Sequence, residues 1–254
     1  VARRKSLIVL LAFLLLLGGC ANEAATAASP QSTDSAVITA FLQDMLAWKG
    51  VYWSKLETTY KNTAYAKALA GLNAPDYTVT ILPMYDILSI TQTGNGRVEG
   101  KLMVSGIPAY RQVSGNTTEF GFDYTYPADD SFLYPAGTVE IAKGSFSAAK
   151  NTLRYEDIVT NGGKTLARTV IEIIKNADGA YLMQYLYSGE DQKGVACVIT
   201  QVKKDSFTAF AGTREGDTAF EYASILNGAA LETMKSGMTL SLSAFADASR
   251  AEVK

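Results

Sequence analysis

Thr165-Leu-Ala-Arg-Thr-Val-Ile-Glu-Ile-Ile-Lys175, Asn176-Ala-Asp-Gly179 and Ala180-Tyr-Leu-Met-Gln-Tyr-Leu-Tyr187 decide the fold of this chain. Two runs rich in β-branched and aromatic residues flank a cluster of Asn, Asp and Gly, which is the composition of a strand, a turn and a second strand. A parallel pair needs a crossover of a dozen or more residues, so a connection this short makes the two strands antiparallel.

The pattern repeats in both directions. Candidate strands cover 77–82, 86–93, 97–104, 117–126, 139–146, 152–160, 165–175, 180–187, 195–203 and 206–211. Their connections include Gly94-Asn95-Gly96, Ser147-Ala-Ala-Lys-Asn151, Asn161-Gly162-Gly163-Lys164 and Lys204-Asp205, each short enough for a hairpin. Sequential hairpins make a meander, and this many strands predicts a large, strongly curved antiparallel sheet of half-barrel type.

Helical periodicity lies outside this region. Asp34 or Ser35 can cap a helix from Ala36, with Ile38, Phe41, Leu42, Met45, Trp48, Lys49 and Tyr52 along one face, bent or ended at Gly50. A second helical stretch covers 53–72 and stops at Gly71, Asn73 and Pro75. Thr218-Ala-Phe-Glu221 has capping-box spacing and opens a helical C-terminal segment to Lys235, with 238–242 as one last strand. The fold class is therefore α+β, with N-terminal helices packed on the curved meander. A single domain spans 35–246, and 247–254 reads as a fraying tail.

The first twenty residues carry a different message. Arg3-Arg4-Lys5 precedes an apolar run from Leu7 to Leu17, then Gly18-Gly19-Cys20. Eleven apolar residues span about 16 Å as a helix, roughly half the hydrocarbon thickness of a bilayer. The order of basic, apolar and small residues is that of a cleaved signal peptide, 1–19. Leu17-Gly18-Gly19-Cys20 resembles the lipobox of bacterial lipoproteins, which implies that Cys20 is lipidated and becomes the first mature residue. Residues 20–34 then form the lipidated cysteine and a small, polar, flexible tether. The implied location is extracytoplasmic, on a bacterial cell membrane held through the lipid anchor.

Loss of Arg3, Arg4 and Lys5 reduces 23 basic residues to 20 against 25 acidic, a net charge of −5. Such a domain has no basic stripe for nucleic acid and no electrostatic reason to lie on anionic lipid. Cys197 is the only other cysteine, so the mature chain has no partner for a structural disulfide, and its apolar run reads as core.

The chain contains no histidine, which removes Ser–His–acid and Cys–His catalysis and His-ligated zinc. Ser147-Ala-Ala-Lys150 matches the S-x-x-K motif of penicillin-binding enzymes, but in a hairpin turn and without K-T-G, since Leu166 follows Lys164-Thr165. Gly162-Gly163-Lys164-Thr165 lacks the first glycine of a phosphate loop, Ile158 standing in its place. The acidic pairs Asp129-Asp130, Glu156-Asp157 and Glu190-Asp191 read as solvated, and strand neighbours Glu156 and Asp157 point to opposite faces. No catalytic residue, metal site or cofactor is expected.

The positive signal is aromatic. Phe120, Phe122, Tyr124 and Tyr126 share one strand face, as do Tyr181, Met183, Tyr185 and Tyr187 on a later strand. These faces either receive an apolar or amphipathic ligand or cover the N-terminal helix. The order of elements resembles the LolA-like lipoprotein carriers and the related lipid-binding mycobacterial lipoproteins, which wrap a curved sheet around helices and an apolar cavity. That resemblance implies a non-catalytic binding domain, and the two aromatic faces predict a cavity bordered by Phe122, Tyr124 and Tyr185. The alternative is an accessory envelope protein acting through protein contacts, with Phe132, Leu133 and Tyr134 in the loop 128–137 as its contact. A hydrolase would require two carboxylates converging in a cleft.

Overall fold

The hairpin at 176–179 closes as its composition requires. Asn176 N donates to Ala180 O at 2.8 Å, Gly179 N to Asn176 O at 2.9 Å, and Gly179 has φ +82°. The computed structural model describes residues 33–60, 96–102, 106–127, 134–190, 194–204, 206–214, 224–227, 240–245 and 251–253. The signal and lipobox region, the expected strands 77–82 and 86–93, and most of the expected second and C-terminal helices lie outside these residues.

Among the described residues, eleven strands form one open sheet in sequential order, every neighbouring pair antiparallel. They are β1 (Gly96–Lys101), β2 (Pro108–Ser114), β3 (Thr117–Thr125), β4 (Val139–Ser147), β5 (Thr152–Asn161) and β6 (Lys164–Lys175), followed by β7 (Tyr181–Gly189), β8 (Val195–Val202), β9 (Ser206–Arg214), β10 (Leu240–Phe245) and β11 (Ala251–Val253). The β5–β6 turn places Gly162 at φ +56° and Gly163 at φ +80°, the two positive values that a two-residue type I′ hairpin requires.

Helix α1 (Thr33–Tyr60) is continuous. The expected break at Gly50 is absent: Gly50 is exposed, with nothing within 4 Å of a Cβ placed on it. A lone glycine costs a helix about 1 kcal/mol. Burial of Ile38, Phe41, Leu42 and Met45 against the sheet outweighs that cost, at roughly 1.5–3 kcal/mol per large side chain.

Two further expectations are corrected, and a third falls on residues described only at 224–227. Pro108–Ser114 is a strand, although its inward residue Arg111 interrupts the apolar alternation; Pro108 sits at the strand's first position, where proline is tolerated. The expected C-terminal helix is represented among the described residues by a single 3-10 turn, Ile225–Asn227. Ala251–Val253 pairs with β10, where the sequence suggested fraying.

The sheet buries both sides at its centre. On one side α1 packs with Phe120, Phe146, Tyr155, Ile171, Tyr181, Met183 and Phe207 in the main core. On the other, the 3-10 turn covers Val170, Leu182, Leu186, Val195, Cys197 and Ile199. Consequently Tyr181 to Leu186 are buried without interruption, Gln184 included, in place of the buried–exposed alternation of a one-sided sheet. Cys197, 1% exposed, is the core residue expected of it.

Candidate functional site

Strand register lays out the helix-facing side as cross-strand rows about 7 Å apart, since alternate residues on a strand share a face. Tyr181 aligns with Val202 and Phe207. The next row is Thr118, Phe146, Leu153, Ile173 and Met183, and the third is Phe120, Gly144, Tyr155, Ile171 and Tyr185. The fourth is Phe122, Ala142, Asp157, Thr169 and Tyr187; the fifth is Tyr124, Glu140, Val159 and Ala167. The face therefore changes from apolar to acidic and phenolic along the strands.

All eight aromatic-face residues point to this side, but they separate into two settings. At the apolar end Tyr181 meets α1: Phe41 and Trp48 lie edge-on at 5.4 and 5.5 Å between centroids. Its hydroxyl donates to Asp44 Oδ2 at 2.5 Å, and Lys175 Nζ reaches the same oxygen at 3.1 Å. The Tyr181 hydrogen bond is the chief reason the Asp44 carboxyl is held below its ordinary pKa, with Lys175 adding to it. Phe120 and Met183 are buried in the same core. This part of the face covers the helix.

The far end has a different chemistry. Tyr124 and Tyr126 are edge-on at 5.1 Å, Tyr126 and Tyr134 at 5.3 Å, and Tyr185 and Tyr187 stack at 6.4 Å. The Tyr126 hydroxyl donates to Glu140 Oε2. Asp157 is half-buried, but its Oδ1 is enclosed and accepts no hydrogen bond. Burial, and then the neighbouring Glu140 charge, push the Asp157 carboxyl up to about 8. Burial also raises Glu140, against the opposing Tyr126 hydrogen bond, and raises the phenols of Tyr126, Tyr134 and Tyr185. Among the described residues no Lys or Arg forms an ion pair with either carboxyl.

Asp157 is thus not the solvated acid its sequence neighbourhood suggested. Glu156 does point to the opposite side, as strand alternation requires, where Arg168 Nη2 reaches it at 2.6 Å and Arg154 Nη2 at 3.4 Å. Glu190 pairs with Lys164 at 2.6 Å near the surface. Asp129, Asp130, Asp191, Phe132 and Leu133 lie outside the described residues. The pairing of Glu140 with Asp157 was missed because the two are remote in sequence. They become diagonal neighbours only through the β4–β5 register, in which Ala142 faces Asp157 and Glu140 faces Val159.

The opposite side carries a cleft of about 320 Å³ lined by Tyr110, Glu119, Lys143, Gly144, Ser145, Arg154 and Glu156, away from the expected Phe122–Tyr185 border. Ser147 ends β4 and Ala148, Ala149 and Lys150 form the hairpin turn, which places the S-x-x-K match where no nucleophile is sheltered. Among the described residues no group of three or more Cys, Asp or Glu is placed to hold a metal ion, and no helix is long and apolar enough to cross a membrane.

No protein-family model, no curated protein and no solved structure matches this chain.

Proposed function

We propose that this chain is a lipid-anchored extracytoplasmic protein of a bacterial membrane, attached through Cys20, whose domain binds an amphipathic ligand without catalysis. In this reading the sheet curves around α1 as a half-barrel, and the ligand lies along its inner side. The observation that supports it is the gradient across the five rows, from Met183 and Phe120 to the Tyr126–Glu140–Asp157 end. An apolar tail then lies beside α1 against Phe122, Tyr185 and Tyr187. A polar head that donates hydrogen bonds or carries positive charge fits the carboxyls and phenol faces. An anionic head would add a third acid to a site where no described Lys or Arg pairs with the carboxyls, so a fatty acid is the poorer ligand.

The test uses the full chain, extracted in mild detergent. Mass spectrometry of its lipid extract is expected to find a co-purifying amphiphile, and a fluorescent long-chain alkylamine is expected to bind more tightly than a fatty acid of equal length. Absence of both would overturn the binding reading. Cys20→Ser is expected to leave the protein in the soluble fraction; retention in the membrane would overturn the anchor.

The second reading, an accessory protein acting through envelope contacts, is favoured by one observation. Phe41 and Trp48 already occupy the Tyr181 end of the face, so α1 fills part of the space a ligand would use.

A further inference from the structure

We propose that Glu140 and Asp157 act as a proton-operated latch, one shared proton holding the Tyr134 turn against the helix-facing side of the sheet and its loss releasing that turn. The latch stands on the placement of the groups and does not depend on any ligand.

The parts come from four elements. Tyr126 ends β3, and its backbone clasps the return of the β3–β4 connection: Tyr126 N donates to Thr138 O and Gly137 N to Tyr126 O, both at 2.8 Å. Thr138 N closes the turn onto Pro135 O at 3.1 Å, and Asn161 Nδ2 donates to Thr138 Oγ1 at 2.7 Å. Tyr134 thereby packs on the Tyr126 ring. Beneath these rings, β4 presents Glu140 and β5 presents Asp157.

Among the described residues, the titratable groups facing the pair are the phenols of Tyr124, Tyr126, Tyr134 and, from β7, Tyr187, while the buried guanidinium of Arg111 lies on the same side of the sheet opposite Phe120 on β3. Arg154 of β5 and Arg168 of β6 point away, both bound to Glu156 on the opposite side. Two charged side chains of the helix are engaged elsewhere. Asp44 is bound to Lys175 at the other end, and Lys49 lies over the Phe207 ring at 5.9 Å.

With one proton present, the site holds one negative charge, stabilised by the Tyr126 hydroxyl. With none, two carboxylates on adjacent strands share an enclosure whose Asp157 Oδ1 has no donor. In this proposal water supplies the donor that the described side chains do not, and it enters as Tyr134 moves aside. The device is therefore tight in acid and progressively looser toward alkaline pH.

Amide hydrogen exchange of residues 134–138 in the full chain tests this, after correction for base-catalysed chemical exchange. The opening constant is expected to rise by up to about tenfold per pH unit between pH 6 and 7.5 and to level off above about pH 8.5. In Asp157→Asn the corrected constant is expected to be flat over that range. Equal pH dependence in the two proteins would overturn the latch, as would a flat profile in the wild type. Should Asp157→Asn fail to fold, the 13Cγ chemical shift of Asp157 in the wild-type chain decides. Titration near or above neutrality together with the loosening supports the latch, and titration below pH 5 overturns it.

Discussion

Phe120 lies across Gly144, its direct partner on the neighbouring strand, so closely that a Cβ on Gly144 would overlap the ring. The aromatic side chain fills the space the glycine leaves and shields the exposed backbone of β4, a cross-strand pairing that pins register. Gly144→Ala is expected to destabilise the domain by about 1–3 kcal/mol, because the ring must leave its packed position. Urea unfolding should show a lower midpoint at unchanged slope. An unchanged midpoint would mean that the ring moves aside without cost.

Glu172 organises the other side of the sheet. It is 2% exposed and accepts Ser224 Oγ at 2.8 Å and the Ile225 amide at 3.0 Å, with Arg154 as its ion-pair partner. One β6 carboxylate thus fastens the 3-10 turn over Val170, Leu186 and Cys197. Glu172→Ala leaves the Ile225 amide without its acceptor and takes one of two ion-pair partners from the partly exposed Arg154, with an expected loss of about 1–3 kcal/mol. Glu172→Gln keeps the shape and an acceptor and should cost less. Thermal unfolding of the two variants checks the order.

These two relationships mark what sequence does and does not reveal. The meander from Val139 to Val202 was legible because β-branched and aromatic runs alternate with turn residues; Asn161-Gly162-Gly163-Lys164 is an instance. Pro108–Ser114 was not, since inward Arg111 breaks the apolar pattern that marks a strand. Gly50 suggested a helix end, although an exposed glycine costs less than the packing of the helix around it supplies. The aromatic face was visible as a period of two. Its acids were not, because Glu140 and Asp157 meet only after β4 and β5 pair, and adjacent Glu156 disguises Asp157 as part of a charged surface pair.

Tyr181 ties helix to sheet through its hydroxyl as well as its ring. Tyr181→Phe removes the donor to Asp44 and leaves the ring packing with Phe41 and Trp48. The expected loss is about 1–2 kcal/mol. Asp44, whose folded pKa is lowered, adds stability above its unfolded pKa and loses it as pH falls through the folded value. The difference between wild type and Tyr181→Phe should therefore shrink in acid. A Tyr181→Phe penalty that does not change between pH 7 and pH 3 would refute the link.

Asp157 imposes the opposite dependence. Its folded carboxyl lies at about 8 against an ordinary value of 3.8, so between these limits the folded state binds more protons than the unfolded chain. Stability then declines as pH rises from about 4 to about 8 and is level beyond, while the acid side of that window favours the fold. For a half-buried group the penalty at pH 8 is about 2–3 kcal/mol, below what the full shift would give in a sealed interior. Asp157→Asn is neutral throughout and should escape the penalty, so its unfolding midpoint should exceed that of the wild type at pH 8 and approach it at pH 4.5. Urea unfolding at the two pH values measures this directly. A wild type that grows more stable from pH 5 to pH 8, with Asp157→Asn running parallel to it, would show that Asp157 is ionised and solvated in the folded protein.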